Sequence, residues 1–267
     1  MSQNQGFSKK YGQVFLKNRT IASFEVSLIN GIAGSSVIEI GPGHGMLTAE
    51  LLKNDYKVIA IESDHRFVDE LEYHFSDEVR DGRLKIIKED FLKSEQKSAD
   101  YIAGNVPYQI SSPIIEKLRT MSFRKAILMV QEEFGERLCA KQGSESYSRL
   151  SVMTSLSFDC KLERKVSRKN FSPIPKVDSV IVSLVPRPWD YGIDYETVSE
   201  VTKKLFSQRR KKISNVIGKD DFEYSEKRVE ELSPDEIIRI CNESGTGKIT
   251  KPKSKCQQER NFSGYRE

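Results

Sequence analysis

An open α/β domain followed by a small helical C-terminal domain is the fold that this 267-residue sequence predicts. Over the first half, short apolar runs alternate with helically spaced ones, as in the βαβ units of a mostly parallel sheet. Two β-rich runs then follow with no helix between them. Beyond Pro186-Arg187-Pro188 the apolar spacing becomes helical.

Each element has its own warrant. Ser36-Val37-Ile38-Glu39-Ile40 is the first strand, and residues 46–53 read as the helix after it. Residues 57–61 form the second strand, and Phe67, Leu71 and Phe75 mark one helix face behind it. Residues 84–87 are the third strand, 100–104 the fourth and 125–130 the fifth. The runs 160–166 and 177–185 suit an antiparallel pair closing one sheet edge. Prolines at 186 and 188 then end the sheet, since proline cannot donate to a ladder. Ser233-Pro234-Asp235-Glu236 has the form of a helix cap with proline at the first helical position. The expected division is a sheet domain over 1–188, a helical domain over 189–244 and a flexible basic tail over 245–267.

Composition narrows the classes. Hydrophobic residues at 37% and charged residues at 31% fit a soluble globular protein with a charged surface. No run reaches the length of a membrane span, and the N-terminal residues lack the apolar core of a signal peptide. A cytoplasmic protein with no membrane association is expected. Cys139, Cys160, Cys241 and Cys256 show no paired spacing, so isolated thiols are expected rather than zinc or a disulfide framework. His44, His65 and His74 likewise lack ligand spacing, and no metal is expected. The net charge is only +4, but basic clusters at 9–10, 124–125, 164–165, 168–169 and above all Arg209-Arg210-Lys211-Lys212 suit a polyanion partner.

The first strand runs into Glu39-Ile40-Gly41-Pro42-Gly43-His44-Gly45. Its glycines permit a tight turn and close approach of backbone to a ligand. The spacing is G-x-G-x-G rather than the G-x-G-x-x-G of dinucleotide sites. Glu39 beside the turn would repel a pyrophosphate but suits the ammonium of a methionine moiety. Glu62 ends the second strand, where a carboxylate can accept both hydroxyls of a ribose. Asp90 ends the third and can accept from an adenine amine. Together they describe a cleft for S-adenosylmethionine. Asn105-Val106-Pro107-Tyr108 ends the fourth strand, bringing an amide, a rigid turn and an aromatic ring to the edge where ligands bind in such sheets.

Further motifs carry a resemblance. Lys10-Tyr11-Gly12-Gln13-Val14-Phe15-Leu16, the loop at 39–45, Glu62, Asp90 and the tetrapeptide at 105–108 stand in the order found in the rRNA adenine N6-dimethyltransferases, the KsgA-like family of small-subunit enzymes. Residues 130–138, Phe171-Ser172-Pro173-Ile174-Pro175-Lys176-Val177-Asp178-Ser179, and Leu205-Phe206 with Arg209-Arg210-Lys211 also resemble that family. The chain departs from its pattern at Val14, Asn18 and Val106, where many members carry Asn, Asp and Leu.

The resemblance implies a Rossmann-like class I methyltransferase sheet, with a C-terminal domain that binds rRNA. It implies transfer from S-adenosylmethionine to N6 of two adjacent adenosines near the 3′ end of small-subunit rRNA, within a pre-ribosomal particle, by a monomer. Gln13, Val14, Leu16, Glu39, Gly41, Gly43, Glu62, Asp90 and Asn105 would hold the cofactor. Asn105 Oδ1 and the Val106 carbonyl would accept the two amine N–H groups, so that the nitrogen lone pair leaves the ring. Pro107 would fix that carbonyl. Tyr108 would stack on the extruded base, with Phe171 on its other face. Arg209, Arg210, Lys211 and Lys212 would contact phosphate. Alkylation acidifies the amine, so no strong base is required and no catalytic His or Cys is expected. The alternatives are a large-subunit rRNA adenine methyltransferase of the resistance type, or a non-catalytic ribosome-assembly factor.

Overall fold

β2, the strand that carries the glycine loop, lies in the interior of the molecule's main sheet. The computed structural model describes residues 14–243. Its elements in chain order are β1 (Phe15–Leu16), α1 (Arg19–Ile29), β2 (Ser36–Ile40), α2 (Met46–Lys53), β3 (Lys57–Glu62), α3 (His65–His74), α4 (Ser76–Arg80), β4 (Leu84–Lys88), β5 (Tyr101–Asn105), α5 (Ser111–Leu118), β6 (Lys125–Gln131), α6 (Glu132–Leu138), α7 (Arg149–Ser157), β7 (Phe158–Val166), β8 (Phe171–Ser172), β9 (Ser179–Pro186), α8 (Tyr195–Ser207), α9 (Ile213–Ile217) and α10 (Pro234–Glu243).

The seven-stranded sheet has the order β4-β3-β2-β5-β6-β9-β7. The neighbours from β4 to β6 pair parallel, and β9 then pairs antiparallel with both β6 and β7. The antiparallel pair expected at the sheet edge is thus present. Val37, Ile38, Ile40, Ile102, Ala126 and Leu128 are all at most 2% exposed, as continuous apolar strands covered on both faces should be. One carboxylate sets the start of the central pair: Asp100 Oδ2 accepts from both the Ser36 N–H and Ser36 Oγ at 2.9 Å. At the other end, Gly104 lets β5 close on β2, because a Cβ there would stand 2.7 Å from the Ile40 carbonyl oxygen.

Chain order reverses about β2. After β2 the chain builds outward through β3 and β4, then returns to lay β5 on the opposite side of β2. The connections that leave the carboxyl ends of β2 and β5 therefore run to opposite sides, which leaves a crevice where open α/β sheets bind ligands.

Two features lay beyond the sequence reading. Helix α1 is capped by Asn18, whose side chain accepts the Thr20 N–H at 3.0 Å, and it buries Ile21, Ala22, Val26 and Ile29. The expectation of isolated thiols is corrected at Cys139 and Cys160, which form a disulfide with Cα atoms 5.5 Å apart. Cys139 follows α6 and Cys160 lies on β7. Because α6 packs on β7 and β9, the fold rather than local spacing brings the two together. Cys241 is buried, and Cys256 lies outside the described residues.

Among the described residues, backbone contacts gather 140–156 with 188–243 as a second unit, and 157–187 with 14–139 as the first. The sequence reading kept 140–156 in the sheet domain. The reason for the difference is visible at Tyr147, whose hydroxyl donates to the Leu232 carbonyl at 2.8 Å inside the second unit's core. Around it pack Val198, Leu205, Ile213, Tyr224 and Ile237. α8 is capped by Asp194, which accepts the Thr197 N–H at 2.8 Å. α10 begins at Pro234 behind a reciprocal cap: Glu236 accepts the Ser233 N–H at 2.7 Å, and Ser233 Oγ accepts the Glu236 N–H at 3.2 Å. The tail at 245–267 lies outside the described residues. Among the described residues, no helix is long and apolar enough to cross a membrane.

Candidate active site

A cavity of about 370 Å³ opens at the crevice, walled by the first unit alone. Gly41 to His44 after β2, Glu62 and Ser63 at the end of β3, and Glu89 to Phe91 after β4 make one wall. Asn105 to Ile110 after β5, with Met129, Phe171 and Ser179, make the other. Val14 to Leu16 complete the lining. Successive strand ends thus bring together residues scattered along the chain.

The first wall is held by backbone donors. Gly41 and Gly43 adopt positive φ, and the Gly41 N–H is tied to the Ile61 carbonyl at 3.0 Å. The turn aims the Gly43 N–H at Glu62 Oε2, 3.2 Å away, while Glu62 Oε1 takes the Asp64 N–H at 2.9 Å. Burial raises the Glu62 carboxyl above its ordinary range, and these backbone donors oppose the shift. Each oxygen keeps a further lone pair for a ligand hydroxyl. Asp90 Oδ1 closes a tight turn by accepting the Leu92 N–H at 2.9 Å.

The second wall is built differently. β5 ends at Asn105, and the Val106 N–H still donates to the Met129 carbonyl at 3.0 Å, so the tetrapeptide leaves the sheet from a fixed point. Asn105 Oδ1 is buried with no hydrogen-bond partner. A buried acceptor left unpaired costs roughly 1–3 kcal/mol, and this one belongs to a residue that lines the cavity. Tyr108 is half-buried and its hydroxyl shares a 2.9 Å hydrogen bond with Ser179 Oγ, which orients the ring. Burial raises the phenol's pKa. Phe171 is 3% exposed and belongs both to the core and to the cavity lining.

Of the residues expected to hold a cofactor, Val14, Leu16, Gly41, Gly43, Glu62, Asp90 and Asn105 line the cavity, as do Val106, Pro107, Tyr108 and Phe171. Glu39, also expected there, lies behind this lining. It is absent from the lining, and its carboxylate accepts from Thr48 Oγ1 at 2.7 Å on the α2 side of the sheet. Burial pushes its pKa up to about 8, with the Thr48 hydrogen bond opposing. Strand alternation puts Glu39 and Ile40 on opposite faces of β2, and Ile40 is the one that lines the cavity. Gln13 lies outside the described residues, with Lys9 and Lys10. In the second unit, Arg209 pairs with Glu230 at 2.8 Å and Lys212 with Glu226 at 2.5 Å. Arg210 and Lys211 are exposed and make no ion pair among the described residues.

Three features in or beside the lining escaped the sequence reading. Phe15, His44 and Phe67 meet edge to face, with ring centroids 4.5 to 5.1 Å apart, and His44 Nδ1 lies 2.9 Å from Glu70. Lys117 of α5 donates to the carbonyls of Phe91 and of Ser94, the latter at 2.6 Å, and its ammonium stands 4.8 Å from the Phe91 ring centre. It thereby ties the loop bearing Asp90 to the helix that follows the tetrapeptide. Ser179, the third, was legible only as part of a motif.

The residues present fit S-adenosylmethionine: a glycine turn open to a ligand, a carboxylate at the end of β3, a second after β4, and an unpaired amide oxygen opposite. Residues 4–244 match the family of ribosomal RNA adenine dimethylases. A probable ribosomal RNA small subunit methyltransferase A from Pyrococcus furiosus is 36% identical over 250 residues, covering 86% of this chain and 89% of its own. A probable dimethyladenosine transferase from Dictyostelium discoideum is 41% identical over 211 residues, covering 78% and 67%. The crystal structure of a dimethyladenosine transferase from Plasmodium falciparum superposes with a TM-score of 0.78 at 28% identity, covering 87% of this chain and 99% of that one. With its motifs and its fold in agreement, the chain belongs to the ribosomal RNA adenine dimethylase family.

Proposed function

We propose that this protein dimethylates adenine N6 in small-subunit rRNA, with S-adenosylmethionine as donor, and that its targets are the two adjacent adenosines near that RNA's 3′ end. The observation that carries this reading is the buried, unpartnered Oδ1 of Asn105 at the end of β5. The small-subunit target is supported by the relatives, which at 36% identity and above bear small-subunit methyltransferase and dimethyladenosine transferase names.

S-adenosylmethionine, when bound, supplies an electrophilic methyl group on a sulfonium. Glu62 and Asp90 are the residues we assign to hold its ribose and adenine, with the Gly41–Gly43 turn giving backbone access. Asn105 Oδ1 accepts one N–H of the target amine. That bond draws the nitrogen away from planarity and localises the lone pair that the ring otherwise withdraws. Pro107 fixes the backbone beside it. Tyr108, oriented through Ser179, presents a face on which an extruded base stacks, a contact worth about 1–3 kcal/mol. This offsets an unstacking cost of similar size. The proton leaves an amine made acidic by alkylation, so positioning dominates. Arg210 and Lys211 are assigned to rRNA phosphates, because they are exposed and carry no competing carboxylate.

The test is incubation with labelled S-adenosylmethionine and unmethylated small subunits, followed by nuclease digestion. Labelled N6,N6-dimethyladenosine is expected. Binding of the particles without any labelled adenine would overturn the reading, and label confined to large-subunit RNA would redirect it.

A further inference from the structure

Among the described residues, seven large apolar side chains are exposed, and two of them, Ile174 at 62% and Val177 at 44%, share one short loop. The loop spans residues 173–178 between β8 and β9. Both strands flanking it place a residue in the cavity: Phe171 on one side and Ser179, the partner of Tyr108, on the other. It therefore stands beside the second wall.

The outward position of these side chains is built in. Asp178 accepts the Arg168 N–H at 2.8 Å, the Arg168 guanidinium donates to the Lys176 carbonyl at 2.9 Å, and the Glu132 N–H donates to the Asp178 carbonyl at 3.1 Å. Asp178 is the only acid in the loop, and it is engaged inward. Lys176 and neighbouring Lys169 are exposed and make no ion pair among the described residues. An exposed apolar pair set among lysines suits a ligand that is flat and apolar on its faces but anionic along its backbone, which describes unpaired nucleic acid.

We propose that residues 174–177 form a platform for the nucleotide next to the methylated adenosine, with Ile174 and Val177 covering its base and Lys176 its phosphate. The proposal rests on the function proposed above. Extruding one base strips its neighbour of a stacking partner. An apolar surface beside the cavity returns part of that contact.

Kinetics and crosslinking test it together, with unmethylated small subunits as substrate. Ile174→Ser combined with Val177→Ser should raise KM for the particle about tenfold. It should leave kcat within about twofold and S-adenosylmethionine affinity unchanged, whereas a purely structural role would lower kcat or the unfolding temperature. A p-benzoylphenylalanine at position 174 should crosslink to rRNA beside the dimethylated adenosines. An unchanged KM in the double variant, or crosslinks to a ribosomal protein, overturns the platform while the wild-type activity stands. Failure of the wild-type protein to methylate adenine overturns the function and the platform with it.

Discussion

Glu62 and Asn105 face one cavity from opposite walls, and they are prepared in opposite ways. Both oxygens of Glu62 are held by backbone N–H groups, from Gly43 and Asp64. Asn105 Oδ1 is buried and has none. A group satisfied before the ligand arrives is fixed in place and contributes chiefly to affinity. A group left unsatisfied gains most when a donor arrives, so it acts where charge and geometry change. In the function we propose, the first wall holds the methyl donor and the second activates the acceptor.

The largest effect should come from removing the unsatisfied group. Asn105→Ala should lower kcat roughly 10²–10³-fold, as losing one preorganised hydrogen-bonding group typically does, while calorimetry shows little change in S-adenosylmethionine binding. Equal loss of both would mean that Asn105 builds the donor pocket, and the contrast between the walls would disappear. Glu62→Gln should do the reverse. Its S-adenosylmethionine Kd should rise about 10–100-fold, the range for hydrogen bonds to a charged group, with kcat at saturation nearly kept.

Glu39 sharpens the comparison because it is a buried strand-end acid that is absent from the cavity lining. Its carboxyl, raised to about 8, is neutral in the fold below that value. The stability it lends is complete below the unfolded value of 4.5 and is lost as pH rises toward 8. Unfolding temperatures between those limits should fall more steeply in the wild type than in Glu39→Gln, and both should bind S-adenosylmethionine alike. Glu25, also buried and raised, keeps some slope in the variant. A cofactor affinity that collapsed in Glu39→Gln would return this residue to the site. The smallest effect is Tyr108→Phe, which removes only the hydroxyl that meets Ser179. One net hydrogen bond, about 0.5–1.5 kcal/mol, predicts a few-fold loss in kcat/KM. Ser179→Ala should match it, and the double variant should add nothing.

Much of this was legible before the structure. Apolar runs ending in glycine, acid or amide mark the strand ends of a parallel sheet, and Gly41, Glu62, Asp90 and Asn105 all meet where those ends predict. What escaped has physical causes. The face taken by Glu39 depends on strand register, where one residue's shift reverses every side chain. The Cys139–Cys160 bond and the pairing of Arg209 with Glu230 join residues 21 positions apart in each case, a separation that no local pattern encodes. Residues 140–156 join the second unit through Tyr147, whose partner Leu232 is 85 positions away. α1 was readable in principle: Asn18 as a cap, then apolar positions at 21, 22, 26 and 29.

The reversal of strand order about β2 has a consequence for how such an enzyme can change. The wall assigned to the donor comes mainly from residues 41–91, and the wall assigned to the acceptor from residues 105–110, 129, 171 and 179. On the proposed function, the two reactants are served by successive stretches of one chain. A lineage can rewrite which base it accepts within the later stretch while inheriting its methyl donor unchanged from the earlier one.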